Sequence, residues 1–150
     1  FVMEWSGATG TGRDITVSQD DIEEILLAKA AIHSACSIML KRRNIDARDV
    51  SKVYVAGAFG LNVDPENAIV LGMFPDLPFD RFVFVGNTAV TGAKAILISR
   101  EARGIAEGLP DLVHYHELSL DTEFNREFLS SVFIPHREVE RFPTAKRFIR

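Results

Sequence analysis

The sequence predicts an α/β fold in which a mostly parallel sheet is flanked by helices. Two apolar runs rich in β-branched and aromatic residues, 53–57 and 82–86, each end in glycine and lead into a helix-like segment. A long amphipathic segment at 18–44 comes before both runs. Strands that alternate with helices in this way are typical of parallel sheets covered by helix layers. The length of 150 residues is that of one domain with a substantial core.

The chain begins with a predicted strand at 1–5, a glycine-rich connection at 6–13 and a short strand at 14–17. The connection has the glycines of a phosphate loop but lacks the Gly-Lys-Ser/Thr ending, so we interpret it as a hairpin turn. Ser18 is the expected N-cap of a helix that reaches about Asn44. Acidic residues in its first turn and basic residues in its last complement the helix dipole. The apolar stripe of this helix should face the core, and it consists of Ile22, Ile25, Leu26, Ile32, Cys36, Met39 and Leu40.

Lys29 lies on or beside that apolar stripe and has two interpretations. Its stem can pack against the core while the ammonium reaches water, as long basic side chains often do. Alternatively, the ammonium faces a bound anion or adenosine in a cleft. The first interpretation predicts that Lys29→Met changes stability by about 1 kcal/mol or less. His33, one turn further along, is interpreted as a partly buried core residue rather than a ligand.

The later elements follow from capping signals. Asp64 and Pro65 are the expected N-cap and first residue of a short helix that ends near Leu71. A proline-broken loop at 72–78 leads into the second apolar strand. Asn87 should cap the next helix, which we expect to continue to about Glu107.

A further strand is expected at 112–118, with His114 and His116 on one face. Histidines at this spacing can bind metals, but no acidic or thiol partner is visible nearby, so we favour a solvated strand face. Asp121 or Thr122 should cap a last helix, whose predicted apolar face is Phe124, Phe128, Leu129, Val132 and Phe133. The basic and aromatic tail at 135–150 is either a docking arm or an ordinary terminus.

The two glycine turns are the strongest functional signal. Ligands of open α/β sheets bind outside the carboxyl ends of the strands, and both turns fall there. Glycine lets the backbone come close to a ligand, but it is also common in such loops for turning alone. Two successive junctions of the same design favour a nucleotide or phosphate cradle.

Composition excludes several other classes of function. A net charge of −4 without a basic cluster argues against nucleic acid as a partner. No apolar run is long enough to suggest a membrane span. The single Cys36 excludes an internal disulfide and any all-cysteine zinc or iron–sulfur site, so we expect a reducing cytoplasmic setting. Because the chain starts at Phe1 rather than methionine, we expect a fragment of a larger protein.

Several motifs together carry a family resemblance. They are the start of the long helix at 15–22, the segment 27–32 within that helix, and the segments 55–60, 64–68, 84–87 and 97–100. They resemble the C-terminal ATPase domain of the reductive activators of corrinoid proteins, the ferredoxin-linked metal-binding protein family. That family belongs to the actin, sugar-kinase and heat-shock-chaperone superfamily. The resemblance runs from Phe1 to the segment 133–136. It implies an RNase H-like, actin-like ATPase subdomain, the C-terminal part of a larger ATPase domain.

The resemblance also implies site residues. The nucleotide-binding residues would be Gly57, Ala58, Phe59 and Gly60 of the adenosine motif, with Lys29 as a looser match. A connecting helix that lets two subdomains hinge would be marked by Gly86, Asn87, Thr88, Gly92 and Ala93. The phosphate-binding hairpins and the catalytic acid are expected upstream of Phe1, so no catalytic residue and no metal ligand is named in this chain.

The activity implied for the parent protein is ATP-dependent electron delivery. ATP or ADP with Mg²⁺ would bind the ATPase domain, and an iron–sulfur cluster in a module outside this chain would reduce a cobalt(II) corrinoid protein, the implied partner. A homodimer is compatible with this activity. The chain alone is expected not to hydrolyse ATP, since it lacks the half that grips the phosphates. The alternatives are an inactive, nucleotide-gated interaction module, or a related activator of hydroxyacyl-dehydratases or hydantoinase-like carboxylase.

Overall fold

The computed structural model describes residues 1–148. The strands are β1 (Val2–Glu4), β2 (Ile15–Thr16), β3 (Val53–Ala56) and β4 (Phe82–Gly86). The helices are α1 (Gln19–Arg42), α2 (Pro65–Leu71), α3 (Thr88–Ile98), α4 (Arg100–Leu112) and α5 (Thr122–Ser131). Within the described residues, no helix has the length and apolar character needed to cross a membrane.

The four described strands form two separate pairs. β1 and β2 are antiparallel, with Val2 opposite Thr16, which confirms that the glycine-rich loop between them is a hairpin connection. The Asp14 carboxylate accepts a hydrogen bond from the Ser6 amide at 2.6 Å and closes this loop. β3 and β4 are parallel, and Val53 pairs with Phe82 while Ala56 pairs with Gly86. The parallel pairing of the two glycine-ended strands is therefore confirmed, and it brings both glycine turns to one edge.

The predicted N-caps are all present. Ser18 and Asp21 form a reciprocal capping box at the start of α1. Asp64 accepts from the Asn67 amide at 2.8 Å at the start of α2, which explains this carboxylate as a cap. Asn87 accepts from the Val90 amide at 3.1 Å, and Asp121, rather than Thr122, caps α5.

The buried face of α1 differs from the predicted apolar stripe. The buried residues are Lys29, Ala30, His33, Ser34 and Ile38. Of the predicted stripe, Ile22, Ile25, Ile32 and Met39 are each more than a third exposed. The reason is tertiary, because α5 and the C-terminal residues pack on the small and polar side of the helix.

Two predictions for the region after Asn87 are wrong. The helix after Asn87 stops at Ile98, because Ser99 is extended (φ −128°, ψ 123°) and its hydroxyl caps a new helix by accepting from the Ala102 amide. No strand forms at 112–118 in the described chain, since α4 continues to Leu112 and an irregular stretch follows. His116 also has the acidic partner that the sequence did not reveal, the Asp121 carboxylate at 2.8 Å.

The hydrophobic core lies between the parallel strands, α2 and the C-terminal residues. Its buried members are Ile69, Leu77, Phe82, Phe142 and Ala145. Phe142 and Ala145 come from the basic and aromatic tail, so the described part of that tail is packed into the domain. The last two residues of the predicted tail, 149–150, lie outside the described residues.

Candidate functional site

The edge formed by the carboxyl ends of β3 and β4 carries the candidate nucleotide site. Gly57 and Gly86 both have positive φ, +98° and +70°, and the Gly57 amide donates to the Gly86 carbonyl at 2.8 Å. A Cβ built on either glycine would meet no described atom within 4 Å. The backbone conformation therefore favours glycine at these two positions, and the space in front of each is open.

The other residues of the first turn divide into accessible and packed positions. Ala58 and Phe59 are exposed, and Phe59 is 72% accessible. Gly60 is buried, and a Cβ there would lie 2.7 Å from Cγ1 of Val55. Gly60 is thus glycine because the turn packs closely on β3, whereas Gly57 is glycine because of its backbone angle.

The start of α3 carries the predicted hinge residues. Asn87 caps the helix, and its carbonyl also accepts from the Thr91 hydroxyl at 3.1 Å. Thr88, Gly92 and Ala93 are exposed, and no described atom lies within 4 Å of a Cβ built on Gly92. Small residues here leave a helix surface on which another backbone can pack closely.

The Lys29 side chain lies in a fully buried environment. Its side chain is 0% exposed, so the interpretation of an ammonium in water is wrong. The ammonium donates to the carbonyl of Pro135 at 2.7 Å and to that of Phe133. Burial lowers the pKa of Lys29 to about 8. These carbonyls occupy the ammonium, so a nucleotide contact of Lys29 stays a prediction without support from its surroundings.

A partly buried polar cluster centred on Arg141 lies beside Lys29. The Arg141 guanidinium donates to Glu127 Oε1 at 2.7 Å and to Ser37 Oγ at 2.9 Å. Its nitrogens also lie 3.3 Å from Nε2 of His136 and 3.4 Å from Nε2 of His33. The His33 ring, only 3% exposed, packs against Phe142 at a centroid distance of 5.3 Å, which confirms it as a core residue.

Burial and charge shift the ionisation of this cluster. Burial, reinforced by the Arg141 charge, lowers the pKa of His33 to about 4. The same two causes lower the pKa of His136. For Glu127, burial raises the pKa, but the hydrogen bond and charge of Arg141 outweigh it and the net direction is downward. Both imidazoles are therefore neutral at pH 7, and Glu127 is paired with Arg141.

The ligand atoms of His33, Glu127 and His136 lie within 4.8 Å of one another, which suits a metal ion. Two observations oppose that interpretation. The Arg141 guanidinium lies among these atoms and already supplies a cation. Nδ1 of His136 accepts from the Glu138 amide at 2.9 Å, so the ring hydrogen is on Nε2, the atom that would have to bind the metal. We interpret the cluster as an ion-pair network.

The sequence did not indicate this network, because its members come from separate parts of the chain. Arg141 and His33 are 108 residues apart, and Glu127 is on α5. The one available signal was the pair Lys29 and His33, two polar residues one helical turn apart on a predicted buried face. Their partners could not be named from sequence.

Comparison with known proteins gives consistent results. A family model described as the C-terminal domain of RACo, the ASKHA domain, matches residues 1–146. The chain is similar to the corrinoid activation enzyme RamQ of Eubacterium limosum, at 33% identity over 129 residues, 86% of this chain and 22% of that protein. It is also similar to the Co(II) methylated amine-specific corrinoid protein reductase of Methanosarcina barkeri, at 30% identity over 89 residues, 59% of this chain and 16% of that protein.

A solved structure described as a reductive activator for corrinoid, iron–sulfur protein superposes with a TM-score of 0.90 and 35% identity. The superposition covers 96% of this chain and 23% of that chain. The chain thus spans less than a quarter of the length of each of these relatives.

Proposed function

Because the chain belongs to the family of RACo C-terminal ASKHA domains, we propose that it is the nucleotide-binding half of an ATP-dependent reductive activator of corrinoid proteins. The predicted family and the actin-like α/β fold class are confirmed. The relatives are named for corrinoid activation or reduction, which supports the same role for the protein that contains this chain.

One observation carries the nucleotide part of the proposal. Two positive-φ glycines, Gly57 and Gly86, meet at the carboxyl edge of a parallel strand pair, and the space in front of both is open. A nucleoside and its phosphates fit such an edge, because the backbone can approach them without side-chain obstruction. The turn Gly57–Gly60 would hold the nucleoside side, and Gly86 with Asn87 would border it.

Mg-ATP, when bound, would supply the free energy of phosphoanhydride cleavage. The residues of this chain would position the nucleotide and transmit its presence, since no catalytic acid is assigned here. The small residues at the start of α3, Thr88, Gly92 and Ala93, would let a second subdomain close against this one. A closed and an open arrangement with different nucleotide affinities is what couples binding to movement.

Electron transfer would involve parts of the parent protein outside this chain. An iron–sulfur module would deliver one electron to a cobalt(II) corrinoid protein and produce the cobalt(I) state. The corrinoid protein is thus the proposed partner and substrate, the parent is proposed to act in the cytoplasm, and a homodimer is a further proposal. No cysteine cluster for such a module is present, since Cys36 is the single cysteine.

The alternatives can now be separated. The family match and the names of the relatives support a corrinoid activator over a dehydratase activator or a hydantoinase-like carboxylase. An inactive, nucleotide-gated module differs from an activator only in turnover. Phosphate release and cobalt(II) reduction by the full-length protein, the second followed in the corrinoid absorption spectrum, decide between them. Nucleotide binding without either activity would support the inactive module.

Gly57→Ala is expected to weaken ADP binding by the full-length protein about ten-fold or more, because a side chain would occupy the open space at the turn. Strain at φ +98° should also lower stability by about 1–2 kcal/mol. Isothermal titration calorimetry below the melting temperature of the variant measures the affinity separately from folding.

Gly12→Ala is the matched control for that experiment. Gly12 also has positive φ, +64°, and open space around its Cβ position, but it belongs to the β1–β2 hairpin. It should lose similar stability and keep its ADP affinity. Equal ADP affinity of Gly57→Ala and the unmodified protein would make Gly57 a turn residue only.

Gly92→Ala tests the hinge surface of α3. In this chain alone it should raise stability by about 0.5–1 kcal/mol, because alanine favours a helix interior and no described atom is in the way. In the full-length protein it should slow cobalt(II) reduction, since the added methyl obstructs the close packing of a second subdomain. Thermal unfolding and reduction rates measure the two effects.

Gly104→Ala is the control for Gly92→Ala, because Gly104 is an open glycine within the neighbouring helix α4. It should raise stability by a similar amount without slowing reduction. An unchanged reduction rate in Gly92→Ala would contradict a hinge role for this surface.

A further inference from the structure

The C-terminal strap, which we define as residues 132–147, is held to the domain by polar contacts as well as by its core residues Phe142 and Ala145. The Lys29 ammonium binds the carbonyls of Phe133 and Pro135. The Asp76 carboxylate accepts from the amide of Thr144 at 2.7 Å and from its hydroxyl at 2.8 Å. Such polar contacts depend on the charge state of the groups that make them far more than an apolar contact does.

The Arg141 cluster is the part of this attachment that contains histidines, which titrate near neutral pH. It joins the strap, through Arg141 and His136, to His33 of α1 and Glu127 of α5. The charged groups that face the two imidazoles are Lys29 of α1, Glu127 of α5, and Glu138 and Arg141 of the strap. While both imidazoles are neutral, the two positive charges of Lys29 and Arg141 balance the two negative charges of Glu127 and Glu138.

Protonation would break specific contacts as well as this balance. Nδ1 of His136 accepts from the Glu138 amide, and a proton on Nδ1 turns that contact into two facing donors. The Ser37 hydroxyl accepts from Arg141 and is left to donate to Nε2 of His33 at 3.3 Å, so Nε2 is the acceptor and Nδ1 carries the hydrogen. In the described part of the chain, Nδ1 of His33 has no hydrogen-bond partner that could stabilise added charge.

We propose that His33 and His136 make the C-terminal strap a proton-sensitive latch, closed while both imidazoles are neutral and released from α1 when they are protonated. Release would open the cleft of about 490 Å³ that lies between α1 and the strap. Its walls include Cys36 and Leu40 of α1 and Phe142 and Pro143 of the strap. The latch does not include the glycine turns of the proposed nucleotide site.

The sign of the pH effect follows from the released state. There the histidines return to a pKa near 6.5, whereas the closed latch holds that of His33 at about 4. The released state therefore binds more protons between these two values, and the closed state loses stability as pH falls through that window. For His33 alone, the released fraction should rise about ten-fold or more between pH 7 and pH 5, and His136 acts in the same direction.

Hydrogen–deuterium exchange of the full-length protein, read by mass spectrometry and corrected for intrinsic exchange rates, tests the latch. Protection of peptides from 136–147 should fall about ten-fold or more from pH 7 to pH 5, while α2 and the parallel strands stay protected. The double variant His33→Gln, His136→Asn keeps neutral polar atoms near the Nε2 and Nδ1 positions and should lose this pH response. His114→Gln, at an exposed histidine, should keep it.

Three results would overturn the proposal: full strap protection at pH 5, loss of protection in the whole domain together, or an unchanged pH response in the double variant. If the double variant does not fold, NMR titration of the unmodified protein decides the question. The latch requires the chemical shifts of the His33 and His136 ring protons and of the strap amides to change with pH at the same midpoint. Titration of the rings at an ordinary pKa with no movement of the strap amides would contradict it.

Discussion

Gly72→Ala is expected to destabilise the chain by about 3 kcal/mol or more, the largest effect expected of any glycine-to-alanine change in this protein. Gly72 ends α2 with φ +79°, where any side chain is strained. A Cβ there would lie 1.9 Å from the Pro135 carbonyl oxygen and 2.8 Å from the Pro135 Cα. Because these atoms are backbone, the strap itself would have to move, and strain and overpacking would add. Urea unfolding followed by circular dichroism measures the loss.

Gly12→Ala separates the two causes. It has the same strained φ region without a described neighbour within 4 Å, so it should cost only about 1 kcal/mol. The difference between Gly72→Ala and Gly12→Ala is then the cost of displacing the strap from α2. Similar losses in both variants would mean that the strap is not seated on Gly72.

Lys29→Met is expected to lower stability at pH 7 by about 2 kcal/mol. Methionine fills the volume of the lysine stem, but it leaves the carbonyls of Phe133 and Pro135 without their donor. An unpaired buried carbonyl costs about 1–3 kcal/mol, and the relief of a buried charge offsets part of the total. This is more than the sequence alone predicts, because the sequence did not show what the ammonium binds.

The same comparison has a defined pH dependence. The folded state holds the pKa of Lys29 at about 8, below the usual 10.5, so the unfolded chain retains this proton to higher pH. Stability of the unmodified chain should therefore rise relative to Lys29→Met from about pH 8 to 10.5, by at most about 1.4 kcal/mol per pH unit.

Denaturant unfolding of both proteins at pH 7, 8, 9 and 10 gives the comparison. Lys94→Met, at an exposed lysine of α3, is the control and should change stability by less than about 0.5 kcal/mol at every pH. Two results together would contradict the buried contacts. The Lys29→Met variant would be as stable as the unmodified chain at pH 7, and the difference in unfolding free energy between the two proteins would be the same at pH 10.

The candidate nucleotide edge was predictable because its signals are local. A short apolar run that ends in glycine and precedes a capped helix specifies strand, turn and helix within about ten residues. The parallel pairing of β3 and β4 then brings Gly57 and Gly86 together. The reasons for the glycines at 57 and 60 were not predictable, since one depends on φ and the other on the distance to Val55.

The sequence by itself determined the caps Ser18, Asp64 and Asn87, the hairpin and the two strand–glycine–helix junctions, because each depends on residues close by in the sequence. It also determined the family, because the family motifs occur in a fixed order along the chain. Only the tertiary structure decided which side of α1 is buried. The side that packs carries Lys29, His33 and Ser34 instead of Ile22, Ile25 and Ile32. The strap and α5 supply carbonyls, a guanidinium and a hydroxyl that pair with those polar groups. A hydrophobic pattern cannot predict such a face, since the free energy of burying a polar group depends on partners about a hundred residues away.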